Sequence, residues 1–134
     1  PMHKGLNLNV TTSQGVATVE MTVSPEICNL VGILHGNYYF KIMDDACFFA
    51  ALSLNKHEFV ATANFNIHYF SPASKGQLIA SAQVVHARGT KYVCECTIVD
   101  KEQKKYGCGS GLFIAPHKQY KYNYGEITKE TRYE

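Results

Sequence analysis

Hydrophobic and polar residues alternate with a period of two near the start of the chain. Over Gly15–Val23 the apolar residues fall on one face, and threonine and glutamate fall on the other. This alternation is typical of a half-buried β-strand, and we expect the short apolar segment Leu6–Val10 to pair with it. The Ser24-Pro25-Glu26 sequence ends the strand, and a connecting segment, residues 27–35, leads onward.

A different pattern covers Asn37–Leu54, which contains neither proline nor glycine. The segment is long enough for about five turns of α-helix. Apolar residues fall on nearly every side of that helix: Tyr38, Tyr39, Phe40, Ile42, Met43, Ala46, Cys47, Phe48, Phe49, Ala50, Ala51 and Leu52. A helix that is apolar all round has to be enclosed on most of its faces.

The period of two returns after the helix. Over Phe59–Phe70 the alternation predicts an apolar face made of Ala61, Ala63, Phe65, Ile67 and Tyr69. The opposite, polar face would hold Thr62, Asn64, Asn66 and His68. A loop of turn-forming residues follows at 71–76, and three more strands are predicted: Leu78–His86, Tyr92–Val99 and Tyr106–Ile114.

The predicted architecture is therefore α+β, with two strands, one long enclosed helix and then an antiparallel meander. A five- to six-stranded antiparallel sheet wrapped around one long central helix satisfies this pattern. We expect one domain over residues 1–115 and a polar, tyrosine-rich C-terminal tail over residues 116–134. Neighbouring subunits would cover the sheet edges and the outer sheet face that this arrangement leaves open.

Composition supports a single domain and argues against several classes of partner. The 134 residues are enough to bury one core. Thirteen basic and eleven acidic residues give a net charge of +2, which is too small to predict a nucleic-acid-binding protein. The apolar stretches are too short to cross a bilayer. The charged fraction of 18% is below the usual value of about a quarter, which again favours a surface covered by another subunit.

The cysteines are odd in number and scattered through apolar segments. They are Cys28, Cys47, Cys94, Cys96 and Cys108. Because they form neither a C-x-x-C pair nor a cysteine–histidine cluster, a zinc site is not expected. Reduced, mostly buried thiols in a cytoplasmic protein are the preferred interpretation.

Two adjacent carboxylates, Asp44 and Asp45, lie in the middle of the most apolar segment. A carboxylate buried there is unfavourable unless it is paired or hydrogen-bonded. Successive helical residues point about 100° apart, so at least one of the two side chains can simply face solvent or a subunit partner. The helix alone therefore leaves a catalytic role and a structural role open.

The His35-Gly36-Asn37 sequence stands where the loop becomes the helix. Glycine at this point permits a close approach to a backbone N–H at the positive end of the helix dipole, which suits a developing oxyanion. The alternative is a helix cap, because asparagine is a favoured N-cap residue. Both interpretations stay open from these three residues alone.

The spacing of these residues resembles that of the hotdog-fold thioesterases, in particular the PaaI-like acyl-CoA branch. Asn29 precedes His35 by six residues, Asp44 follows His35 by nine, and Thr62 follows Asp44 by eighteen. The Tyr69-Phe-Ser-Pro-Ala sequence continues the match. The resemblance covers roughly residues 6 to 115 and implies the hotdog fold, an antiparallel sheet around a central helix.

The resemblance also implies a role for each matched residue. Asp44 would be the catalytic carboxylate, either as nucleophile on the thioester carbonyl or as general base for water. Gly36 would supply the oxyanion N–H. Asn29 would place the water or the carbonyl, and His35 would support the loop or the thioester end. Thr62 would orient the water.

A second group of residues is expected to bind the substrate. The segment Arg88, Gly89, Thr90 and Lys91 stands where such proteins often hold the phosphates of CoA, and its two cations suit that task. Asn37 replaces the second glycine of many relatives, so its side chain would narrow the pocket or serve as the N-cap. No metal or prosthetic group is expected, and CoA takes part only as a portion of the substrate.

Helix geometry adds a constraint on the assembly. Gly36 and Asp44 are eight residues apart, or about 12 Å at 1.5 Å per residue. They cannot both contact one carbonyl group from a single chain. If both act, the site combines Gly36 of one subunit with Asp44 of another, and the protein is at least a homodimer. The resemblance implies the same, with dimers often paired into tetramers.

The sequence thus predicts a hydrolase of acyl-CoA or a related small-molecule thioester. The alternative is a non-catalytic hotdog protein that binds an acyl ligand, since fold does not determine function. A sensor of that kind would be expected to carry an effector domain, and Asp44 in an apolar helix favours catalysis. The acyl group, the thiol carrier (CoA or acyl-carrier protein) and the choice between dimer and tetramer stay open.

Overall fold

The structure is a computed structural model that describes residues 6, 8–54, 59–116, 122–123 and 126–127. Its elements are β1 (Leu8–Ser13), β2 (Val16–Thr22), a 3-10 turn (Pro25–Ile27), α1 (Gly36–Leu54), β3 (Ala61–Tyr69), β4 (Gln77–Arg88), β5 (Lys91–Val99) and β6 (Lys105–Ile114). Two short strands, β7 (Tyr122–Asn123) and β8 (Glu126–Ile127), pair with each other. The rest of the predicted tail after residue 116 lies outside the described residues, and the division at residue 115 stays a prediction.

Six strands form one antiparallel sheet in the order β1-β2-β4-β5-β6-β3. Together with the single long helix, this confirms the predicted hotdog fold. The predicted meander is correct only for β4, β5 and β6. The strand after the helix, β3, pairs with β6 at the far edge, because the connection over residues 70–76 is longer than a tight hairpin and need not join neighbours.

The core lies between α1 and the inner face of the sheet. The alternation predicted around β2 is confirmed, because Ala17, Val19, Met21 and Val23 are all buried. The helix contributes Tyr39, Ile42, Met43, Ala46, Cys47, Ala50 and Ala51 to the same core. Within the single chain the opposite side of the helix stays more open, and Phe40 is 39% exposed. The predicted enclosure of the helix is therefore only half supplied by its own sheet.

The alternation predicted for β3 is wrong at its start. Thr62 pairs with Phe113 and Asn64 pairs with Leu112, so Ala63 is an extra residue in a β-bulge. A bulge of one residue reverses which face the following side chains occupy. Thr62 consequently lies on the inner, helix-facing side together with Phe65, and not on the polar face with Asn64.

Glycines in β6 allow β3 to pack closely against the helix. A Cβ atom at Gly109 would lie 2.8 Å from the Phe65 ring, and one at Gly111 would lie 2.5 Å from it. Both distances are shorter than a carbon–carbon contact allows. The Phe65 ring therefore lies over β6 and meets Phe40 of the helix edge to face, with 5.5 Å between ring centroids.

Candidate active site

The helix α1 and the edge strand β3 run antiparallel, side by side. Residues of the two elements meet in three successive pairs: Gly36 with Tyr69, Phe40 with Phe65, and Asp44 with Thr62. We call the space along these pairs the α1–β3 cleft. It has a Gly36 end, at the start of the helix, and an Asp44 end, about two turns later.

Asp44 is held at its end of the cleft by a hydroxyl group. The Thr62 Oγ1 atom donates a hydrogen bond of 2.7 Å to Asp44 Oδ1. Burial raises the pKa of the Asp44 carboxyl above its usual range, the Thr62 hydrogen bond opposes that shift, and the neighbouring Asp45 carboxylate adds to it. A carboxylate with a raised pKa is a stronger base toward water than an exposed one.

The neighbouring carboxylate has a different environment. Asp45 Oδ2 lies 2.8 Å from Lys41 Nζ, one helical turn earlier, and both side chains are largely covered. This ion pair agrees with a structural role for Asp45. Asp44, in contrast, accepts its hydrogen bond from a neutral hydroxyl, and the Lys41 charge lowers its pKa only as the smallest of the four effects on it.

Gly36 is the first residue of the helix, one residue earlier than predicted. Asn37 consequently lies within the first turn, exposed, and is not the N-cap; His35 takes the flanking position. The first N–H groups of a helix have no acceptor inside it. Among the described residues, none accepts a hydrogen bond from the Gly36 N–H. That donor is free to meet a developing negative charge.

The chain itself does not require glycine at position 36. Its φ is not in the left-handed region, and an added Cβ would lie 3.4 Å from the Tyr69 ring, an ordinary contact. The absence of a side chain at position 36 is therefore not a requirement of the fold.

The loop before the helix carries Asn29 and His35. The Asn29 Oδ1 atom accepts hydrogen bonds of 3.0 Å from the backbone N–H groups of Val31 and Ile33, an Asx-type turn that shapes the loop. A cavity of about 480 Å³ is lined by Cys28, Asn29, Leu30, Val31 and His35. The structure therefore brings Asn29 and His35 together near the Gly36 end, with the amide oxygen of Asn29 already engaged by its own loop.

The predicted phosphate-binding segment forms the tight turn between β4 and β5. Arg88 pairs with Lys91, and Gly89 has a φ of 60°, which glycine adopts without strain. The turn lines a cavity of about 410 Å³ together with His86, Val93 and Leu112. Lys91 lies opposite Ile114, which lies opposite Ala61. Two strand spacings, about 10 Å, thus separate Lys91 from Ala61, the neighbour of Thr62. Val93 and Leu112 share the outer sheet face with Asn64, so the cavity at the turn opens on the face opposite the Asp44 end of the cleft.

A further cavity lies at the Gly36 end and was not predicted. It has a volume of about 270 Å³ and is lined by Leu34, Gly36, Tyr39, Tyr69, Phe70, Ser71 and Pro72. Tyr69 and Pro72 of this lining belong to the Tyr69-Phe-Ser-Pro-Ala sequence. That sequence contributes to the resemblance, but the resemblance implies no role in the site for it. The motif was the one sequence feature that pointed to these residues. It did not predict the contact between Tyr69 and Gly36.

Two negative findings apply to the described part of the chain. Within the described ranges, no three or more histidine, cysteine, aspartate or glutamate residues are grouped in a way that would hold a metal ion. No described helix is long and apolar enough to cross a membrane. All five cysteines are free thiols.

Comparison with known proteins places this geometry in a family. A sequence profile described as the thioesterase superfamily matches residues 31–106, which include Gly36, Asp44, Thr62 and the Arg88–Lys91 turn. The chain belongs to the thioesterase superfamily. This thioesterase is 28% identical over 113 residues to a 1,4-dihydroxy-2-naphthoyl-CoA hydrolase of Listeria monocytogenes, covering 84% of this chain and 91% of the relative.

Solved structures agree with the fold of this thioesterase. The PaaI protein from the phenylacetic acid degradation operon of E. coli superposes with a TM-score of 0.80 at 25% identity, over 88% of this chain and 86% of that one. A protein of Streptococcus pneumoniae described as a hypothetical thioesterase, solved with coenzyme A, superposes with a TM-score of 0.75 at 21% identity, over 81% and 84% of the two chains. Membership of the thioesterase superfamily, with a CoA hydrolase among the relatives, makes the protein an enzyme that hydrolyses thioesters.

Proposed function

We propose that this thioesterase hydrolyses acyl-CoA at a site built from two copies of the chain. The observation that carries the proposal is the division of the α1–β3 cleft. The base, Asp44, lies at one end, and the free donor, Gly36 N–H, lies about 12 Å away at the other. Neither end alone holds both groups that thioester hydrolysis requires.

The edge position of β3 supports this assembly. An edge strand presents unpaired backbone N–H and C=O groups to any strand that approaches it. Two copies that pair antiparallel through β3 about a two-fold axis would set the Tyr69 end of one strand beside the Thr62 end of the other. Because α1 runs antiparallel to β3, Gly36 of one copy would then approach Asp44 of its partner. The exposed Phe40 would be covered by the same contact.

The chemistry follows from the two groups. Asp44 accepts a proton from a water molecule, whose oxygen attacks the carbonyl carbon of the thioester. The carbonyl oxygen gains the negative charge and accepts a hydrogen bond from Gly36 N–H; such a donor is typically worth about 3–4 kcal/mol in the transition state. Collapse of the tetrahedral intermediate expels the CoA thiolate, which takes up the proton, and leaves the carboxylic acid.

Direct attack by Asp44 on the carbonyl carbon is the alternative first step. It would expel the thiolate and form an anhydride that water then hydrolyses. The raised pKa of Asp44 favours the general-base route. After single-turnover hydrolysis in ¹⁸O-labelled water, label in Asp44 would demonstrate an anhydride opened by attack of water on the aspartyl carbon, because the general-base route puts the label in the product acid alone.

Several features favour CoA as the thiol. The relative from Listeria acts on a CoA ester by name, and the pneumococcal thioesterase was solved with coenzyme A. The Arg88–Lys91 turn, about two strand spacings from Thr62 along the sheet, supplies two cations that suit the phosphates of CoA. The proposed reaction uses no metal or prosthetic group. The free cysteines are those expected of a protein from the reducing cytoplasm.

The test is hydrolysis of a panel of short, long and aromatic acyl-CoA esters. The reaction is monitored through the loss of thioester absorbance. This readout avoids the five thiols of the protein. Asp44→Asn should lower kcat at least about a hundredfold, whereas the matched variant Asp45→Asn should stay within about twofold of wild type. Equal activity of wild type and Asp44→Asn would remove Asp44 from the mechanism. Binding of CoA esters without turnover by wild type would favour the non-catalytic alternative.

A further inference from the structure

The Tyr69 side chain lies against Gly36, the residue that carries the free N–H. Its ring atoms and hydroxyl oxygen lie 3.4–3.6 Å from the position that a Cβ of Gly36 would take. Its hydroxyl makes a long hydrogen bond, 3.4 Å, to the carbonyl oxygen of Gly36. A bond of this length is weak, so the phenol proton can turn to a better acceptor in the same space.

Neighbouring aromatic packing fixes the Tyr69 ring. It lies 5.4 Å from the ring of Tyr39, tilted by 50°. Tyr39 is itself buried, and its hydroxyl donates a hydrogen bond of 2.6 Å to the carbonyl oxygen of Ser71. Aromatic pairs of this geometry are stabilising. Tyr69 is therefore held from behind while 56% of its surface stays exposed.

The exposed side of the ring faces the cavity of about 270 Å³ at the Gly36 end. An exposed aromatic ring that is held in place by a buried one is suited to contact a ligand or a second subunit. The hydroxyl group favours contact with a ligand, since a subunit contact through the ring alone would not need a hydrogen-bond donor.

We propose that Tyr69 is a substrate-contacting residue, whose hydroxyl donates a second hydrogen bond to the thioester oxygen beside Gly36 N–H and whose ring forms one wall for the thioester group. The proposal rests on the proposed function of the same site. Two donors converging on one oxygen hold the carbonyl in a fixed orientation and stabilise the charge that develops on it. Tyr69 forms no covalent bond and transfers no proton, because its hydroxyl acts only as a hydrogen-bond donor.

The test compares Tyr69→Phe, Tyr69→Ala and the control Tyr106→Phe on the best substrate of the panel. The Tyr106 hydroxyl bonds to Asp100 in the β5–β6 turn, so its removal should leave activity within about twofold of wild type. Tyr69→Phe should lower kcat about ten- to a hundredfold with little change in KM, since the lost bond is strongest in the transition state. Tyr69→Ala should raise KM as well, because it also removes the wall.

A spectroscopic readout separates this role from a purely structural one. A ketone analogue of the substrate, with CH₂ in place of sulfur, keeps the carbonyl and is not hydrolysed. Its infrared carbonyl frequency when bound should be lower in wild type and Tyr106→Phe than in Tyr69→Phe, because each donor weakens the C=O bond. Light scattering on every variant reports whether the subunit assembly is retained.

The outcomes separate the two proposals. If wild type hydrolyses the ester and Tyr69→Phe has the same kcat and carbonyl frequency, the role of Tyr69 is refuted while the proposed function stands. A loss of activity in Tyr69→Phe that accompanies dissociation, with an unchanged carbonyl frequency, would equally refute it and leave an interface role. Failure of wild type to hydrolyse any ester in the panel would overturn both proposals.

Discussion

The two ends of the α1–β3 cleft are built on the same helix and the same strand, yet they offer opposite chemistry. The Gly36 end presents a free backbone donor and a phenol beside an aromatic cavity. The Asp44 end presents a half-buried carboxylate held by one hydroxyl. One end is suited to receive negative charge and the other to remove a proton.

This difference shows why the distance between the two ends matters more than either end alone. A helix is rigid, so the spacing of about 12 Å cannot close within one chain. The chain can use both ends on one substrate only if a second copy brings the missing end. A substitution at one end therefore leaves the chemical groups of the other end intact.

The largest effect is expected from removing the donor at the Gly36 end. Proline is tolerated at the first position of a helix and has no N–H, so Gly36→Pro should keep the fold while lowering kcat about 10²–10³-fold. Gly36→Ala keeps the N–H and adds a Cβ in ordinary contact with Tyr69. Steady-state kinetics of both variants, with circular dichroism as a fold control, should show the smaller loss in Gly36→Ala. Equal kcat values in the two variants would mean that the N–H is not used.

Mixing two inactive variants should restore activity if the ends belong to different copies. A 1:1 mixture of refolded Gly36→Pro and Asp44→Asn chains gives random dimers, half of them mixed, each with one intact site of two, or about a quarter of wild-type activity. The measurement is kcat after co-refolding, compared with the two variants refolded separately and then combined. A co-refolded mixture no more active than its parents would refute a site shared between two copies.

A smaller effect is expected from the hydroxyl that holds Asp44. Thr62→Val keeps the shape but removes the hydrogen bond, so kcat should fall about tenfold and the pKa of Asp44 should rise further. Because Asp44 acts in its ionised form, the acid limb of the kcat/KM profile should move to higher pH. Thr62→Ser retains the hydroxyl and should keep the wild-type profile; an unshifted limb in Thr62→Val would contradict the coupling.

The smallest effect concerns stability. The pKa of Asp44 is raised in the folded chain, so the folded state is favoured below the unfolded value of about 3.9 and loses that advantage as pH rises through the folded value. Asp44→Asn should therefore raise Tm by a few degrees near neutral pH and leave it unchanged near pH 3. Asp45→Asn removes the ion pair with Lys41, worth about 0.3–0.5 kcal/mol, and should lower Tm slightly. The measurement is a thermal melt of each variant at both pH values. A Tm of Asp44→Asn below that of wild type near neutral pH would show that burial does not disfavour the charged form of this carboxyl.

Periodicity alone predicted most of the secondary structure. The helix was predicted to begin one residue late, and the strands were placed to within a few residues of their observed ends. Local patterns succeed here because the periods of two and 3.6 are properties of neighbouring residues. The same local information put Asp44 in an apolar helix. A carboxylate there is unfavourable unless it is paired or hydrogen-bonded, so this position pointed to a specific role for Asp44.

The sequence by itself determined the helix, the period of the strands, the misplaced carboxylate and, through the motif spacing, the superfamily. Only the tertiary structure decided that β3 lies beside β6, that the bulge at Ala63 turns Thr62 toward Asp44, and that Tyr69 lies against Gly36. These features join residues that are 18 to 53 positions apart in the sequence. They depend on hydrogen-bond register and side-chain packing between elements, which no local period records.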